Sequence, residues 1–178
     1  MALLEQGVAV ALASDPSARR LAALTDEYVR LGLVSPPCPL TLTGSPVDEE
    51  LYIHFLRHVN EPSQNSASPY GFGTILVDAP CSGLGTMSRY PEIRLRRAPE
   101  DCAALVQLQQ AILDAAWVRL LPGGRLVYIT CTANPAENGE QVQAVRARHD
   151  DASLVQEYEG GDWELFGEYF YGAMLRKG

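Results

Sequence analysis

Two apolar strands with a long amphipathic helix between them occupy residues 74–129, and each strand runs into a short motif of small or polar residues. Thr74–Asp78 is followed by Ala-Pro-Cys-Ser-Gly, and Arg125–Ile129 is followed by Thr-Cys-Thr. The helix is predicted over Pro99–Leu121, where apolar residues recur at helical spacing. This strand–helix–strand order indicates neighbouring parallel strands of an open α/β sheet.

The same order is predicted nearer the N-terminus. The apolar run Val8–Ala13 predicts a buried strand, and a helix is expected over Pro16–Leu31 because Ser14-Asp15-Pro16 offers a cap and a proline at its start. Residues 39–43 suit a second short strand. Residues 44–73 are predicted to be an irregular insertion within one domain that spans residues 1–178.

The C-terminal part is expected to complete the sheet with antiparallel strands. A helix is predicted from Pro135 or Ala136 to about His149, and Leu154–Tyr158 and Tyr169–Arg176 are predicted to form an antiparallel hairpin at the sheet edge. The fold class is therefore α/β, mostly parallel with an antiparallel C-terminal edge.

Such sheets bind ligands beyond the carboxyl ends of their strands. Asp15, the segment Asp78–Cys81 and Cys131 all follow predicted strands, so we expect them to converge on one crevice. Asp15 stands where these folds place an acid on ribose hydroxyls. It also suits helix N-capping, and the two roles are compatible, with ribose binding favoured if a cofactor binds.

Cys81 and Cys131 each lie at the end of an apolar strand. A free cysteine is usually a buried apolar residue, and that interpretation applies to each one taken alone. Two thiols at adjacent strand ends, one of them beside a carboxylate and a proline, instead favour paired thiol chemistry. The four cysteines of the chain match no zinc spacing, and no metal site is predicted.

The net charge of -8 argues against a free-standing nucleic-acid binder. Four arginines nevertheless cluster within nine residues after Cys81: Arg89, Arg94, Arg96 and Arg97. They form either a solvated turn or a group of phosphate contacts. No apolar run reaches the ~18–20 residues that would cross a membrane, and the sequence shows no secretory signal. An intracellular protein is expected, in a compartment that the sequence leaves open.

The segments DAPCSG, LLPGGRLVYITCT and NPAENGEQV resemble the Sun/Fmu family of RNA cytosine-5 methyltransferases. The resemblance is close over residues 74–145 and extends more loosely back to about residue 7. It implies a Rossmann-like class I methyltransferase sheet. It also implies S-adenosyl-L-methionine as cofactor and methylation of C5 of a cytosine in rRNA or tRNA.

The resemblance also implies roles for individual residues. Cys131 would attack C6 of cytosine and form a covalent adduct, Cys81 would assist proton removal and product release, and Asp78 would bind the base near N3. For cofactor binding it implies Asp15, Asp78 and Pro80. Because the base must be exposed, the RNA would be single-stranded or the cytosine flipped, with the arginine cluster on nearby phosphates.

The sequence lacks several features of the family pattern, including the acid expected after the third strand and the basic N-terminal RNA-binding region. The acidic, glycine-rich cofactor loop after the family's first strand is absent, and so is that strand. We therefore expect a partial methyltransferase domain, since unpaired buried backbone is costly. Either the protein continues upstream, or the gap closes between the flanking strands, or a further protein segment supplies the missing strand. The alternative function is a catalytically inactive scaffold in RNA binding or ribosome assembly.

Overall fold

The computed structural model describes residues 12–15, 17–30, 40–43, 71–161 and 167–178. The chain divides into two compact units, Met1–Asn65 and Ser66–Gly178. The predictions for residues 8–11 and for most of the 44–73 insertion lie outside the described residues. The prediction of a single domain stays a prediction.

The described residues of the N-terminal unit form two parallel strands and one helix. They are β1 (Leu12–Asp15), α1 (Ala18–Arg30) and β2 (Leu40–Thr43). The strands pair in register from Leu12 opposite Leu40 to Asp15 opposite Thr43. A hydrophobic strand followed at once by an amphipathic helix is the expected βα unit, and the helix buries Leu21.

The C-terminal unit carries a four-stranded sheet in the order β3-β4-β6-β5. Its strands are β3 (Phe72–Asp78), β4 (Leu120–Thr130), β5 (Ala152–Gly160) and β6 (Phe170–Lys177). Its α-helices are α2 (Ile93–Arg96), α3 (Pro99–Arg119) and α4 (Gly139–Arg148). Short 3₁₀ turns occupy Leu84–Thr86 and Pro135–Glu137.

Parallel pairing of β3 with β4 places the ends of both strands side by side. Asp78 lies opposite Ile129, so the segments that contain the two cysteines leave the sheet at the same edge. β6 pairs antiparallel with both β4 and β5, which confirms the predicted antiparallel pair at the C-terminal edge. The predicted α/β class is thereby confirmed.

Pro122-Gly123-Gly124 separates the predicted helix from the next predicted strand, and its composition predicts a turn. In the structure this segment lies within β4 as an irregularity. The register with β3 shifts at this point. Phe72 pairs with Leu120, whereas Thr74, only two residues further on, pairs with Arg125, five residues further on. Gly123 adopts φ 77°, a left-handed conformation that glycine adopts without a Cβ penalty. The strand therefore starts five residues earlier than predicted and bends where the turn was expected.

The core lies between the sheet and the helices α3 and α4. Ile112, Leu113, Ala116 and Trp117 of α3 are buried. Leu108 of α3 is 42% exposed although it is apolar, because the buried side of the helix includes Gln109 instead. In the part of the chain that the structure describes, no helix is long and apolar enough to span a membrane.

Candidate functional site

Cys81 and Cys131 meet at the carboxyl edge of the β3–β4 pair. Their Sγ atoms lie 3.3 Å apart, and the backbone N–H of Cys131 donates to the Cys81 Sγ at 3.4 Å. Both are free thiols and both are partly exposed. The structure thus brings together the two sulfur atoms that the sequence placed on adjacent strands, within reach of solvent.

The two thiols differ in acidity because they share one hydrogen bond. Donation by the Cys131 thiol lowers the pKa of Cys81 to about 7, with further help from the backbone N–H groups of Cys131 and Gly83. The pKa of Cys131 is raised, first because its proton is held by Cys81, then by burial and by the charge of Asp78. The pair therefore favours a thiolate on Cys81 and a thiol on Cys131 in the free protein.

Asp78 and Pro80 lie on either side of Ala79 in the segment that leads from β3 to Cys81. The Asp78 side chain is exposed, and it makes no hydrogen bond or ion pair with the described residues. Its charge nevertheless contributes to the raised pKa of Cys131. Pro80 is exposed, and its carbonyl accepts a hydrogen bond from the Gln109 side chain at 2.8 Å. An available carboxylate therefore stands near the two sulfur atoms.

Buried polar side chains surround the cysteine pair, and sequence analysis did not assign them a role. Seven described polar or charged residues are buried: Ser82, Gln109, Thr130, Thr132, Glu137, Asn138 and Gln141. Hydrogen bonds connect them through the segments that follow Cys81 and Cys131. Since buried polar groups are costly unless paired, this arrangement fixes the conformation of both cysteine segments.

The hub of these contacts is Glu137, which is fully buried. One of its carboxylate oxygens accepts the backbone N–H of Ser82 at 2.8 Å and the Gln109 amide at 3.0 Å, while the other accepts the Asn134 amide at 2.9 Å. A sequence signal existed for Gln109, a polar residue within the apolar stripe of α3. The spacing of Glu137 gave no comparable signal.

The arginine segment divides into tethered and unengaged side chains. Arg89 forms an ion pair with Glu168, and the Arg97 Nε donates to the carbonyl of Ser82 at 3.2 Å. The side chains of Arg94 and Arg96 are exposed on α2, and neither makes a hydrogen bond or ion pair with the described residues. Arg94 and Arg96 are therefore the members of the cluster that are available to an anionic partner.

Asp15 belongs to the N-terminal unit and is the last residue of β1. Its Oδ1 accepts the backbone N–H of Ser17 at 2.7 Å, and its Oδ2 accepts Arg20 Nη1 at 3.4 Å. The N-cap of α1 is Ser17, whose Oγ and carbonyl both accept the N–H of Arg20, so the N-capping expected of Asp15 falls two residues later. The Asp15 side chain is 26% exposed, and each oxygen keeps a lone pair for a further donor.

These observations can be tested against the requirements of a nucleoside cofactor such as S-adenosyl-L-methionine. A partly exposed carboxylate at a strand end, as at Asp15, fits ribose hydroxyls. In the C-terminal unit, taken by itself, Asp78 presents an exposed carboxylate at the end of β3, next to the buried Ala79 and the exposed Pro80. Among the described residues, no group of three or more His, Cys, Asp or Glu side chains could hold a metal ion.

Comparison with known proteins places these features in a family context. A family model described as 16S rRNA methyltransferase RsmB/F matches residues 1–168. Ribosomal RNA small subunit methyltransferase B of Vibrio vulnificus is 54% identical over 84 residues, which are 47% of this chain and 20% of that protein. The Vibrio cholerae protein of the same name is 52% identical, over 47% of this chain and 19% of its own length. The aligned part thus spans about a fifth of these relatives.

Solved structures show the same fold. A methyltransferase homolog protein from Pyrococcus horikoshii aligns with a TM-score of 0.67 and 26% identity, over 94% of this chain and 53% of that one. NSun6 from Pyrococcus horikoshii, solved with SFG, aligns with a TM-score of 0.72 and 23% identity, over 94% of this chain and 41% of its own. The sheet is therefore of the Rossmann-like methyltransferase type.

Proposed function

Because the chain belongs to the 16S rRNA methyltransferase RsmB/F family, we propose that it is part of an enzyme that methylates C5 of a cytosine in ribosomal RNA. The observation that carries this proposal is the 3.3 Å separation of the Cys81 and Cys131 sulfur atoms. C5 of cytosine is a poor nucleophile, and addition of a thiolate to C6 makes it enamine-like. One thiol is needed to form that bond and a second group to reverse it.

We assign the nucleophile to Cys131 and the base to Cys81. As the Cys131 Sγ bonds to C6, its proton passes to the Cys81 thiolate, whose lowered pKa leaves it ready to accept one at neutral pH. Asp78, whose carboxylate is exposed nearby, accepts a hydrogen bond from the cytosine amino group next to N3 and so orients the ring for attack. Cys81 then loses this proton to solvent, because its thiol is partly exposed.

Product release uses the same two sulfur atoms. The regenerated Cys81 thiolate removes the C5 proton, the C5–C6 double bond re-forms and the bond between C6 and Cys131 breaks. Cys131 leaves as a thiolate and regains its proton from Cys81, which restores the starting state of the pair. One methyl group is gained by the base, and one proton is released to solvent.

S-adenosyl-L-methionine, when bound, supplies the electrophilic methyl group on its sulfonium centre. Asp15 would hold the ribose hydroxyls, and Asp78 and Pro80 would line the site beyond β3. Two observations support this cofactor. NSun6 was solved with SFG, an analogue of S-adenosyl-L-methionine, and the partly exposed Asp15 carboxylate can accept hydrogen bonds from ribose hydroxyls. The RNA is single-stranded or its cytosine is flipped, and Arg94 and Arg96 contact its phosphates.

Substrate trapping tests the assignment. Incubation of the Cys81→Ala chain with unmodified 16S rRNA transcript and S-adenosyl-L-methionine should accumulate a covalent protein–RNA adduct. Loss of Cys81 removes the main cause of the raised pKa of Cys131, so this thiol can ionise and attack without it, whereas the base that removes the C5 proton is gone. The Cys131→Ala chain should form none, and Cys102→Ala is the matched control. An adduct with Cys131→Ala but not with Cys81→Ala would reverse the two roles. No calorimetric binding of S-adenosyl-L-methionine by the unmodified chain would favour the scaffold function instead.

A further inference from the structure

Glu137 is a buried carboxylate that no cationic side chain pairs with in the described part of the chain. Its side chain is 0% exposed and takes part in none of the ion pairs among the described residues. All three partners of its oxygens are N–H donors, from Ser82, Gln109 and Asn134. This pattern suits an ionised carboxylate, which only accepts hydrogen bonds.

Stability alone gives little reason for such a group. Removing a carboxylate from water is expensive even when its hydrogen bonds are satisfied, and apolar replacement of buried charges is often neutral or stabilising. The neighbours of Glu137 include the well-packed apolar core around Tyr128, whose hydroxyl donates to the Glu137 carbonyl at 2.7 Å. A role in the geometry of the site explains the carboxylate better than a role in the core.

The three donors come from the three segments that frame the cysteine pair. Ser82 directly follows Cys81, and Asn134 lies three residues after Cys131. Gln109 of α3 bridges Glu137 to the carbonyl of Pro80, through hydrogen bonds of 3.0 Å and 2.8 Å. One carboxylate is therefore bonded to both cysteine segments and to the helix beneath them.

We propose that Glu137 is a positioning residue that sets the separation between the Cys81 and Cys131 sulfur atoms by holding the two cysteine segments together. It does not touch the reacting atoms. Its importance for methyl transfer rests on the proposed function, whereas its effect on the thiol pair is a property of the protein alone. The two can therefore be tested separately.

The acidity of Cys81 gives a readout whose sign distinguishes the possible roles. The largest contribution that lowers the pKa of Cys81 is the hydrogen bond from the Cys131 thiol, while the charge of Glu137 contributes in the opposite direction. If Glu137 positions the pair, its loss separates the thiols and the pKa of Cys81 rises. If Glu137 acts only through its charge, the pKa of Cys81 falls. If it only stabilises the fold, the pKa in the folded protein does not change.

The test is Glu137→Gln, read by the rate of Cys81 alkylation with iodoacetamide as a function of pH. A glutamine amide presents one NH₂ group where the carboxylate accepts, so at least one of the three hydrogen bonds is lost. The half-point is the pH at which the alkylation rate of Cys81 is half-maximal. We expect it to move up from about 7 towards the ordinary pKa of a thiol, and the reaction at pH 7 to become about tenfold slower. Glu140 is exposed on α4, and Glu140→Gln removes the same charge. This control should leave the pH of half-maximal Cys81 alkylation unchanged.

A paired exchange keeps the proposal testable if Glu137→Gln folds poorly. In Glu137→Gln/Asn134→Asp, the glutamine amide donates to the new aspartate, which still accepts the backbone N–H of Ala136 as Asn134 does. The glutamine carbonyl still accepts from Ser82 and Gln109. We expect this variant to bring the Cys81 half-point back towards 7. A half-point that falls or stays unchanged in Glu137→Gln, or that the exchange fails to restore, overturns the proposal. The expected shift of the half-point in a protein whose unmodified form shows no methyl transfer would instead count against the proposed function alone.

Discussion

The hydroxyl groups of Ser82 and Thr132 lie 2.8 Å apart, and neither side chain is exposed. Each residue directly follows one of the paired cysteines, so this bond joins the two segments just beyond the sulfur atoms. The Thr132 hydroxyl also accepts the backbone N–H of Asn134 at 3.2 Å. The separation of the thiols is thus fixed by contacts on the protein side of the pair, while the sulfur atoms remain partly open to solvent.

Removal of this bond should destabilise the protein. We expect Ser82→Ala to lower the free energy of unfolding by about 1–3 kcal/mol, because the Thr132 hydroxyl loses a buried partner. Thr132→Val should cost at least as much, since it also leaves the Asn134 N–H unpaired. Urea unfolding of both single variants and the double variant measures the effect.

The double variant decides whether the two hydroxyls act through one shared bond. Its loss of unfolding free energy should be smaller than the sum of the single losses, because the shared bond can be lost only once. Ser153→Ala is the control, since that hydroxyl donates to the Arg176 carbonyl on an exposed strand and its loss should change stability by less than about 0.5 kcal/mol. Simple additivity of the two single variants would contradict the prediction.

The lowered pKa of Cys81 predicts a specific pH dependence of its reactivity. Since the thiolate is the reactive form, alkylation of Cys81 should be half-maximal near pH 7 and fall about tenfold per pH unit below it. Cys102 provides a contrast in the same chain, because burial raises the pKa of its thiol. Peptide mapping after timed alkylation at each pH would separate the two. Equal profiles for both cysteines would refute the prediction.

The partner thiol should control this acidity. Cys131→Ala removes the hydrogen bond that most lowers the pKa of Cys81, so the half-point for Cys81 should move to higher pH. Cys81→Ala should act in the opposite direction on Cys131, because the raised pKa of that thiol depends first on Cys81. A Cys81 profile that stays the same in Cys131→Ala would mean that the two sulfur atoms are not hydrogen-bonded in solution.

The placement of the cysteine pair could be predicted because it depends on chain topology. Two apolar strands joined by a helix lie parallel, so residues just beyond their ends share one edge of the sheet. The predicted ends of strands and helices were less accurate where the backbone conformation of a single residue decides whether an element continues. The left-handed Gly123 lets β4 continue through a segment whose composition predicted a turn.

The buried polar contacts could not be derived in the same way. Glu137 and Ser82 are 55 residues apart in sequence, and only the tertiary fold brings the Glu137 carboxylate to the backbone N–H of Ser82. Gln109 interrupted the apolar stripe of α3 and could have been noticed, yet its partners are the Pro80 carbonyl and Glu137. Periodicity identifies which side of a helix is buried but not which polar group it meets there.

Gly85 should be essential to the position of Cys131, and it can be tested with a matched glycine. Its N–H donates to the Cys131 carbonyl at 3.1 Å, and its own carbonyl accepts the N–H of Tyr169 at 2.8 Å. A Cβ at this position would overlap the Tyr169 carbonyl and lie 2.9 Å from that of Cys131. We expect Gly85→Ala to destabilise the chain by at least ~1–3 kcal/mol, in thermal or urea unfolding.

Gly73 of β3 is the control for that substitution. A Cβ there meets nothing within 4 Å, so Gly73→Ala should leave the unfolding free energy unchanged or slightly higher. The Cys81 alkylation profile adds a second readout, because displacement of the Cys131 carbonyl should disturb the thiol pair in Gly85→Ala only. Similar stability of the two variants would show that the Cys131 segment adjusts freely.

Arg94 and Arg96 should carry the salt-dependent part of RNA binding, whereas Arg97 should act mainly on the Cys81 segment. The first two side chains are exposed and unengaged among the described residues, while Arg97 donates to the Ser82 carbonyl. Each phosphate contact with single-stranded RNA contributes about 0.7 to the slope of log affinity against log salt concentration. Arg94→Gln/Arg96→Gln should therefore reduce that slope by roughly 1.4, in filter binding of a 16S rRNA transcript at several salt concentrations. Arg97→Gln should instead shift the Cys81 alkylation profile, and an unchanged salt slope in the Arg94/Arg96 variant would assign the phosphate contacts elsewhere.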